Sequence, residues 1–176
     1  MQQSDLLDGL EADLHRLLEH VRSEWAALSP EALNTRPAPD QWNKAEILAH
    51  LNAYWNAYLP AIELAIHKGK ARRWTPSGPV QYTARGKRAL KQADPQQGKK
   101  YKSAKRYNFF QKPTPQHPLK SFIIGAEKLQ RLLQLAKAVD LNKTSVRKAH
   151  SWFGGHYTLG NLLEWLVRHS EKHLKS

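Results

Sequence analysis

Cysteine is absent from the 176 residues of the sequence. Its absence excludes disulfide bonds, thiolate metal sites and catalytic thiols. Any metal site must therefore be built from histidine and carboxylate side chains, and the sequence contains nine histidines. A chain of this length is long enough for one domain with its own core, so we expect a single domain over residues 1–176.

Long hydrophobic runs are absent as well. No segment approaches the roughly 18 to 20 consecutive apolar residues that a membrane-spanning helix needs. The N-terminal segment MQQSDLLDGLEADLHRLLEH carries acidic residues where a signal peptide carries basic ones, and it lacks an unbroken apolar stretch. We therefore expect a soluble, cytoplasmic protein with no membrane partner.

Acidic residues are scarce in one long segment. Residues 68–120 contain 15 Lys and Arg and the single acid Asp94, whereas the rest of the chain is nearly neutral and the whole chain carries +13. Basic residues interleaved with aromatic ones can neutralise phosphates and stack on bases, so this segment is a candidate contact for nucleic acid or another polyanion. The alternative is an ordinary solvated surface.

Four segments repeat apolar residues at spacings of three and four, which is typical of amphipathic helices. The spacing predicts helices over about residues 4–28, 44–67, 118–136 and 159–174. We expect a capping box of Asn43 and Glu46 to begin the second helix, Gly69 to stop it, and Thr158 to cap the fourth. No segment has a convincing β-strand pattern. The predicted fold class is all-α, a four-helix bundle with a long crossover between helices 2 and 3.

The basic crossover at about residues 68–120 is too long for a simple turn. A structureless loop of this length is unusual in a compact domain, so the segment is a lid, a crossover with short helices of its own, or partly disordered. The sequence YTARGKRALK, residues 82–91, indicates a short helix within it.

Three histidines continue apolar stripes of the predicted helices. His169 and His173 are four residues apart and therefore share one helix face, in phase with Leu166, and His50 lies on the inward stripe of the second helix. Three imidazoles with an open fourth position are typical of a catalytic metal site. The alternative is that each is a core histidine with a local hydrogen-bond partner. The other histidines show no such pattern.

The C-terminal HSEKH segment does not match the zinc-protease motif, because Ser170 stands where that motif has a catalytic glutamate and Glu171 faces away from the two histidines. A mechanism in which the metal itself activates the nucleophile is therefore favoured. Aromatic residues are candidates for the walls of a pocket, although each also suits an ordinary core: Trp42, Tyr54, Tyr58, Trp152, Phe153 and Trp165.

Two segments resemble motifs of the DinB/YfiT-like superfamily of metal-dependent enzymes. They are WNKAEILAHL, residues 42–51, and HSWFGGHYTLGNLLEWLVRHSEKHL, residues 150–174. The resemblance implies an up-down-down-up four-helix bundle. It also implies a divalent metal ion, of which Zn, Ni and Fe are the candidates, held by His50, His169 and His173.

Members of this superfamily with known activities include transferases that use low-molecular-weight thiols such as bacillithiol, and a mycothiol-dependent isomerase. The resemblance therefore implies a metal-dependent thiol S-transferase or hydrolase that acts on a small-molecule substrate, such as a low-molecular-weight thiol. Two rival hypotheses are a non-enzymatic protein whose residues 68–120 bind a polyanion, and a metal-free interaction protein. A homodimer is an assembly that the sequence leaves open.

Overall fold

The computed structural model describes residues 1–96, 103–147 and 156–175. Within these ranges the chain is mainly helical, as predicted. The helices are α1 (Gln3–Glu24), α2 (Pro30–Asn34), α3 (Lys44–Ala71), α4 (Ala84–Ala93), α5 (Pro118–Ala136) and α6 (Leu159–Leu174). A short 3-10 turn covers Lys105–Tyr107, and two strands, β1 (Ser145–Arg147) and β2 (His156–Thr158), pair with each other. Among the described residues no helix is both long enough and apolar enough to span a membrane.

The four long helices share one apolar core. Helices α3 and α1 each pack against α5 and α6. The rings of Trp55 on α3 and Phe122 on α5 stack with their centroids 4.6 Å apart, and both side chains are fully buried. Burial of apolar surface is the main contribution to folding stability, so this core supplies most of what holds the helices together.

The N-terminal boundaries differ from the prediction. Helix α1 ends at Glu24, not near residue 28, and the undetected short helix α2 follows. The Ser29 side chain accepts a hydrogen bond from the backbone N–H of Ala32, and Pro30 occupies the first turn of α2, where its missing N–H costs nothing. The pair Ser29 and Pro30 therefore begins a helix, although the regular spacing of the preceding leucines predicts one longer helix up to about residue 28.

Helix α3 begins as predicted and ends later. Asn43 and Glu46 form the expected reciprocal capping box, with hydrogen bonds of 2.8 and 3.0 Å. Gly69 does not stop the helix, which continues to Ala71. A Cβ atom at Gly69 would lie 2.9 Å from the Thr144 Oγ1, so the glycine allows close packing of the segment after α5.

A short strand pair occurs where the sequence shows no convincing β-strand pattern. Strands β1 and β2 are antiparallel, with Val146 opposite Tyr157. Each strand has only three residues, too few for an alternating pattern to be recognised in the sequence. Thr158 ends β2 and caps α6 as predicted, because its side chain accepts a hydrogen bond from the Asn161 N–H.

The described part of the basic crossover is a folded connection with a short helix, one of the three expected alternatives. Helix α4 packs against α6, and the Tyr82 hydroxyl donates a 2.5 Å hydrogen bond to the buried Glu164. Gly86 lies so close to Asn161 that a Cβ atom would approach the Asn161 Oδ1 to 2.2 Å. The crossover is thereby fixed across the helix that carries His169 and His173.

Candidate metal centre

The structure brings the three predicted histidines together. His50 projects from the N-terminal half of α3, and His169 and His173 project from the last two turns of α6. One ring nitrogen from each residue lies within 4.8 Å of the other two, and the three residues form a group that could hold a metal ion. The ring centroids are separated by 4.6 to 5.1 Å. Two packed helices therefore converge on one point through these three side chains.

The basic crossover determines the proton position on His50. The His50 Nδ1 lies 2.6 Å from the backbone carbonyl oxygen of Tyr107, and this ring is almost fully buried. A carbonyl oxygen only accepts hydrogen bonds, so the Nδ1 must carry the proton and donate it. The Nε2 of His50 is consequently an unprotonated lone pair, which is the form that a metal ion binds.

The facing nitrogens of His50 and His169 suit a bound cation. The Nε2 of His50 is 3.3 Å from the Nε2 of His169. Two facing lone pairs would repel, so a proton or a cation must lie between these atoms. Two nitrogens that are each about 2.0–2.1 Å from a tetrahedral zinc ion lie about 3.3 Å apart, which matches the observed spacing. The donor set therefore fits a divalent ion.

Without a metal ion, His169 carries its proton on Nε2, because the His50 Nε2 that it faces is a lone pair. Its buried Nδ1 has no hydrogen-bond partner among the described residues. The Nε2 of the same ring faces His50, so the unsatisfied Nδ1 is not the nitrogen that faces the proposed ion. The unsatisfied atom is nevertheless uncommon in a protein interior.

All three imidazoles are held in the neutral form. Burial lowers the pKa of His50 to about 4, although the hydrogen bond to the Tyr107 carbonyl opposes this shift. Burial, together with the nearby His50 and Lys172, lowers the pKa of His173 to about 3. The pKa of His169 is also well below its ordinary value, first because of burial and then because of the neighbouring histidines. At neutral pH the three rings can act as metal ligands without first losing a proton.

Aromatic rings enclose the three histidines. Trp42 meets His50 edge-on at 5.0 Å between centroids, and Trp165 stacks on His169 at 4.6 Å. Tyr54 contacts both His50 and His169, at 5.1 and 4.9 Å. Rings packed in this way restrict the orientations of the imidazoles. Two further predicted wall residues, Trp152 and Phe153, lie outside the described residues.

A cavity of about 350 Å³ lies beside this aromatic wall. It shares Tyr54, Tyr107 and Trp165 with the surroundings of the histidines, and Tyr58 lines it as predicted. Arg106, an exposed residue that no sequence pattern marked, also lines the cavity. Its assignment to the cavity depends on the path of the crossover, for which the sequence contains no local signal.

The other histidines in the described ranges do not belong to this group. His15, His67, His117 and His156 are exposed, and His20 is half-buried on α1. His150 lies outside the described residues. Glu171 faces Lys175, 2.5 Å away, and belongs to no metal-binding group within the described ranges.

The fold and the site define a class: mainly helical proteins with an inward-facing three-histidine group that could hold a metal ion. A family model described as the DinB superfamily matches residues 10–176. The chain therefore belongs to the DinB superfamily, as its motifs indicated. No curated protein and no solved structure matches it.

Proposed function

We propose that this protein is a metal-dependent enzyme that acts on a small molecule, as a thiol S-transferase or a hydrolase. The observation that carries the proposal is the convergence of His50, His169 and His173, with two Nε2 atoms 3.3 Å apart. These residues would hold one divalent ion, for which Zn, Ni and Fe suit imidazole ligands. We also propose that the four long helices form an up-down-down-up bundle and that the protein works in the cytoplasm.

Several residues would orient the imidazole ligands of a bound ion and shield them from water. When bound, the ion would lower the pKa of a water molecule or thiol in its open position and so supply the nucleophile. The Tyr107 carbonyl orients His50, and Trp165 stacks on His169, so both rings are held for ligation. Trp42 and Tyr54 shield the imidazoles from bulk water on the side of α3.

The cavity favours a small anionic substrate with an apolar part. Half of its lining residues are aromatic, and the lining includes the basic residue Arg106. Five residues of the basic crossover line the cavity, and the crossover sequence, residues 68–120, carries +14, which would attract anions. A low-molecular-weight thiol that bears a carboxylate combines these properties.

An activity screen with metal depletion and reloading tests this proposal. We expect thiol transfer to a small electrophile, or hydrolysis of a small ester or amide, to require Zn, Ni or Fe. The substitution His173→Ala should abolish that activity, whereas His15→Ala, at an exposed position on α1, should leave it unchanged. Activity that survives complete removal of metal would contradict the proposal.

A second candidate function is polyanion binding by the crossover. Helix α4 exposes four basic side chains along its length, Arg85, Lys87, Arg88 and Lys91. Phosphate contacts release counterions, so affinity for single- or double-stranded DNA or RNA should fall steeply as salt increases. A mobility-shift experiment that detects no complex at low ionic strength removes this candidate.

A further inference from the structure

We propose that Glu46 is a positioning residue that holds the basic crossover against α3, so that the Tyr107 carbonyl keeps His50 in the tautomer that can bind a metal ion. The consequence for metal affinity rests on the proposed function. The consequence for the His50 tautomer does not, because it concerns the metal-free protein.

Two hydrogen bonds connect described residues 107–111 of the crossover to α3, and the Tyr107 ring also stacks on the Tyr54 ring of α3 with centroids 3.8 Å apart. The Gln111 N–H donates to the Glu46 Oε1 at 2.7 Å, and the His50 Nδ1 donates to the Tyr107 carbonyl at 2.6 Å. Glu46 and His50 are four residues apart, which is about one turn of α3, and Gln111 and Tyr107 are also four residues apart along the crossover. A displacement of the crossover at Gln111 should therefore also move the carbonyl away from His50.

The Glu46 carboxylate is buried and fully engaged. It is 2% exposed and accepts hydrogen bonds from the Arg36 guanidinium at 2.7 and 3.0 Å and from the Asn43 N–H at 3.0 Å. Burial acts to raise the pKa of Glu46, but hydrogen bonds from Arg36, Asn43 and Gln111 outweigh it and keep the pKa below its usual value. Glu46 is therefore ionised at neutral pH and is a strong acceptor for the crossover N–H.

Arg36 adds a second contact between the carboxylate and the crossover. Its guanidinium lies over the Phe110 ring, 4.7 Å from the centroid, while it is paired with Glu46. Phe110 and Gln111 are consecutive, so the ion pair of Arg36 and Glu46 contacts two neighbouring residues of the crossover. We call the Arg36–Glu46 ion pair, together with its contacts with Phe110 and Gln111, the clamp.

The backbone at Gln111 supports the same interpretation. Gln111 has a φ of 54°, in the left-handed region that side chains other than glycine seldom occupy. A strained residue persists where surrounding contacts determine its conformation. The hydrogen bond from this N–H to Glu46 is such a contact, and it accounts for an exposed glutamine in a conformation that favours glycine.

The clamp would matter for metal binding because the partner of a histidine ligand orients its ring. Loss of such a partner costs about 10- to 100-fold in metal affinity in proteins where it has been tested. The crossover would thus contribute to the centre through a backbone carbonyl, independently of its positive charge.

A matched pair of substitutions at Gln111 tests the proposal. Gln111→Pro removes the N–H and forbids a positive φ, whereas Gln111→Gly removes the same side chain but keeps the N–H and suits that φ. The readouts are the imidazole nitrogen chemical shifts of His50 in metal-free protein, which report the tautomer, and the dissociation constant for Zn²⁺. We expect Gln111→Pro to lose the uniform Nδ1–H signature and to bind Zn²⁺ about 10- to 100-fold more weakly. Gln111→Gly should match the wild type in both.

Glu46→Gln and Asn43→Ala separate the clamp from the helix cap. Both changes weaken the capping box of α3, but only Glu46→Gln removes the charge that holds Gln111. Glu46→Gln should therefore disturb the His50 tautomer, and Asn43→Ala should not. Should Gln111→Pro fail to fold, this second pair decides the question with the same readouts.

The two readouts distinguish failure of the clamp from failure of the proposed function. An unchanged His50 tautomer in Gln111→Pro and Glu46→Gln overturns the clamp, even if the wild type binds Zn²⁺ tightly. An altered tautomer in a protein whose wild type binds no Zn²⁺ supports the clamp and contradicts the proposed metal centre.

Discussion

Helix α3 presents two different surfaces to the rest of the molecule. Toward α5 it packs Trp55 against Phe122, in a core of fully buried apolar side chains. Toward α6 and the crossover it presents His50 and Tyr54, whose rings contact His169 on α6, and the Tyr54 ring stacks on Tyr107 of the crossover. The first surface suits stability and the second suits chemistry. The fold should therefore not depend on a metal ion, and substitutions on the two surfaces should have separable effects.

The largest effect on stability is expected from Phe122→Ala. The side chain is fully buried and stacked on Trp55, so its removal leaves a cavity and should lower the free energy of unfolding by about 3–5 kcal/mol. Urea denaturation measures this change. Ile124→Ala on the same helix is the control, because Ile124 is 56% exposed and should cost no more than about 0.5 kcal/mol. Equal losses in the two variants would contradict the assigned core.

A smaller and pH-dependent effect is expected from Glu46→Gln. The change weakens hydrogen bonds to a charged acceptor and should cost about 2 kcal/mol at neutral pH. The pKa of Glu46 lies below its ordinary value of 4.5, so its ionised form stabilises the protein above that pH, and this contribution is lost as the pH falls through the lower pKa of the folded state. Glutamine does not titrate, so the difference between the two proteins should narrow below about pH 4.5. A difference in the free energy of unfolding that grows on acidification would contradict an ionised Glu46 with a lowered pKa.

Gly125→Ala tests how closely α5 packs against α3. A Cβ atom at Gly125 would lie 2.6 Å from the Cε3 of Trp55, so the ring must shift. Overpacking of this kind should destabilise the protein by about 1–3 kcal/mol, measured by thermal or urea unfolding. The metal affinity of the folded variant should be unchanged, because Trp55 faces away from the three histidines. A loss of affinity would show that the two surfaces of α3 are coupled.

The smallest expected effect has the opposite sign. Gly9 lies on an exposed part of α1, and a Cβ atom there meets nothing within 4 Å. Gly9→Ala should stabilise the protein by about 0.5–1 kcal/mol, since alanine is the better helix former. A destabilised variant in the same unfolding assay would indicate a contact on this face of α1.

The surface of α3 that contains the three-histidine site was easier to predict from the sequence than the surface that packs against α5. The phase of His50 on α3, and the spacing of His169 and His173 on α6, indicated side chains that point inward, and the structure brings them together. Their role as ligands stays a prediction. The Tyr107 contact with His50 spans 57 residues and depends on where the crossover runs, which no local pattern specifies.

Predictions from glycine and proline were less reliable. Gly69 reads as a helix stop, yet it lies inside α3 because the Thr144 side chain needs the space of its missing Cβ. The first helix was predicted to run to about residue 28, yet α1 ends at Glu24, and Ser29 and Pro30 begin the separate helix α2. At Gly69 tertiary packing decided the structure, and at Ser29 a local capping signal did. Neither can be recognised from the spacing of hydrophobic residues.

Metal analysis of the purified, untagged protein tests whether the three histidines hold an ion. We expect one tightly bound divalent ion per chain in the wild type and none in the double variant His169→Ala, His173→Ala. The double variant should keep its helical circular dichroism, because the apolar core supplies most of the folding free energy. His20→Ala is the control and should retain the ion. A double variant that still holds one ion per chain would place the metal elsewhere and contradict the assigned centre.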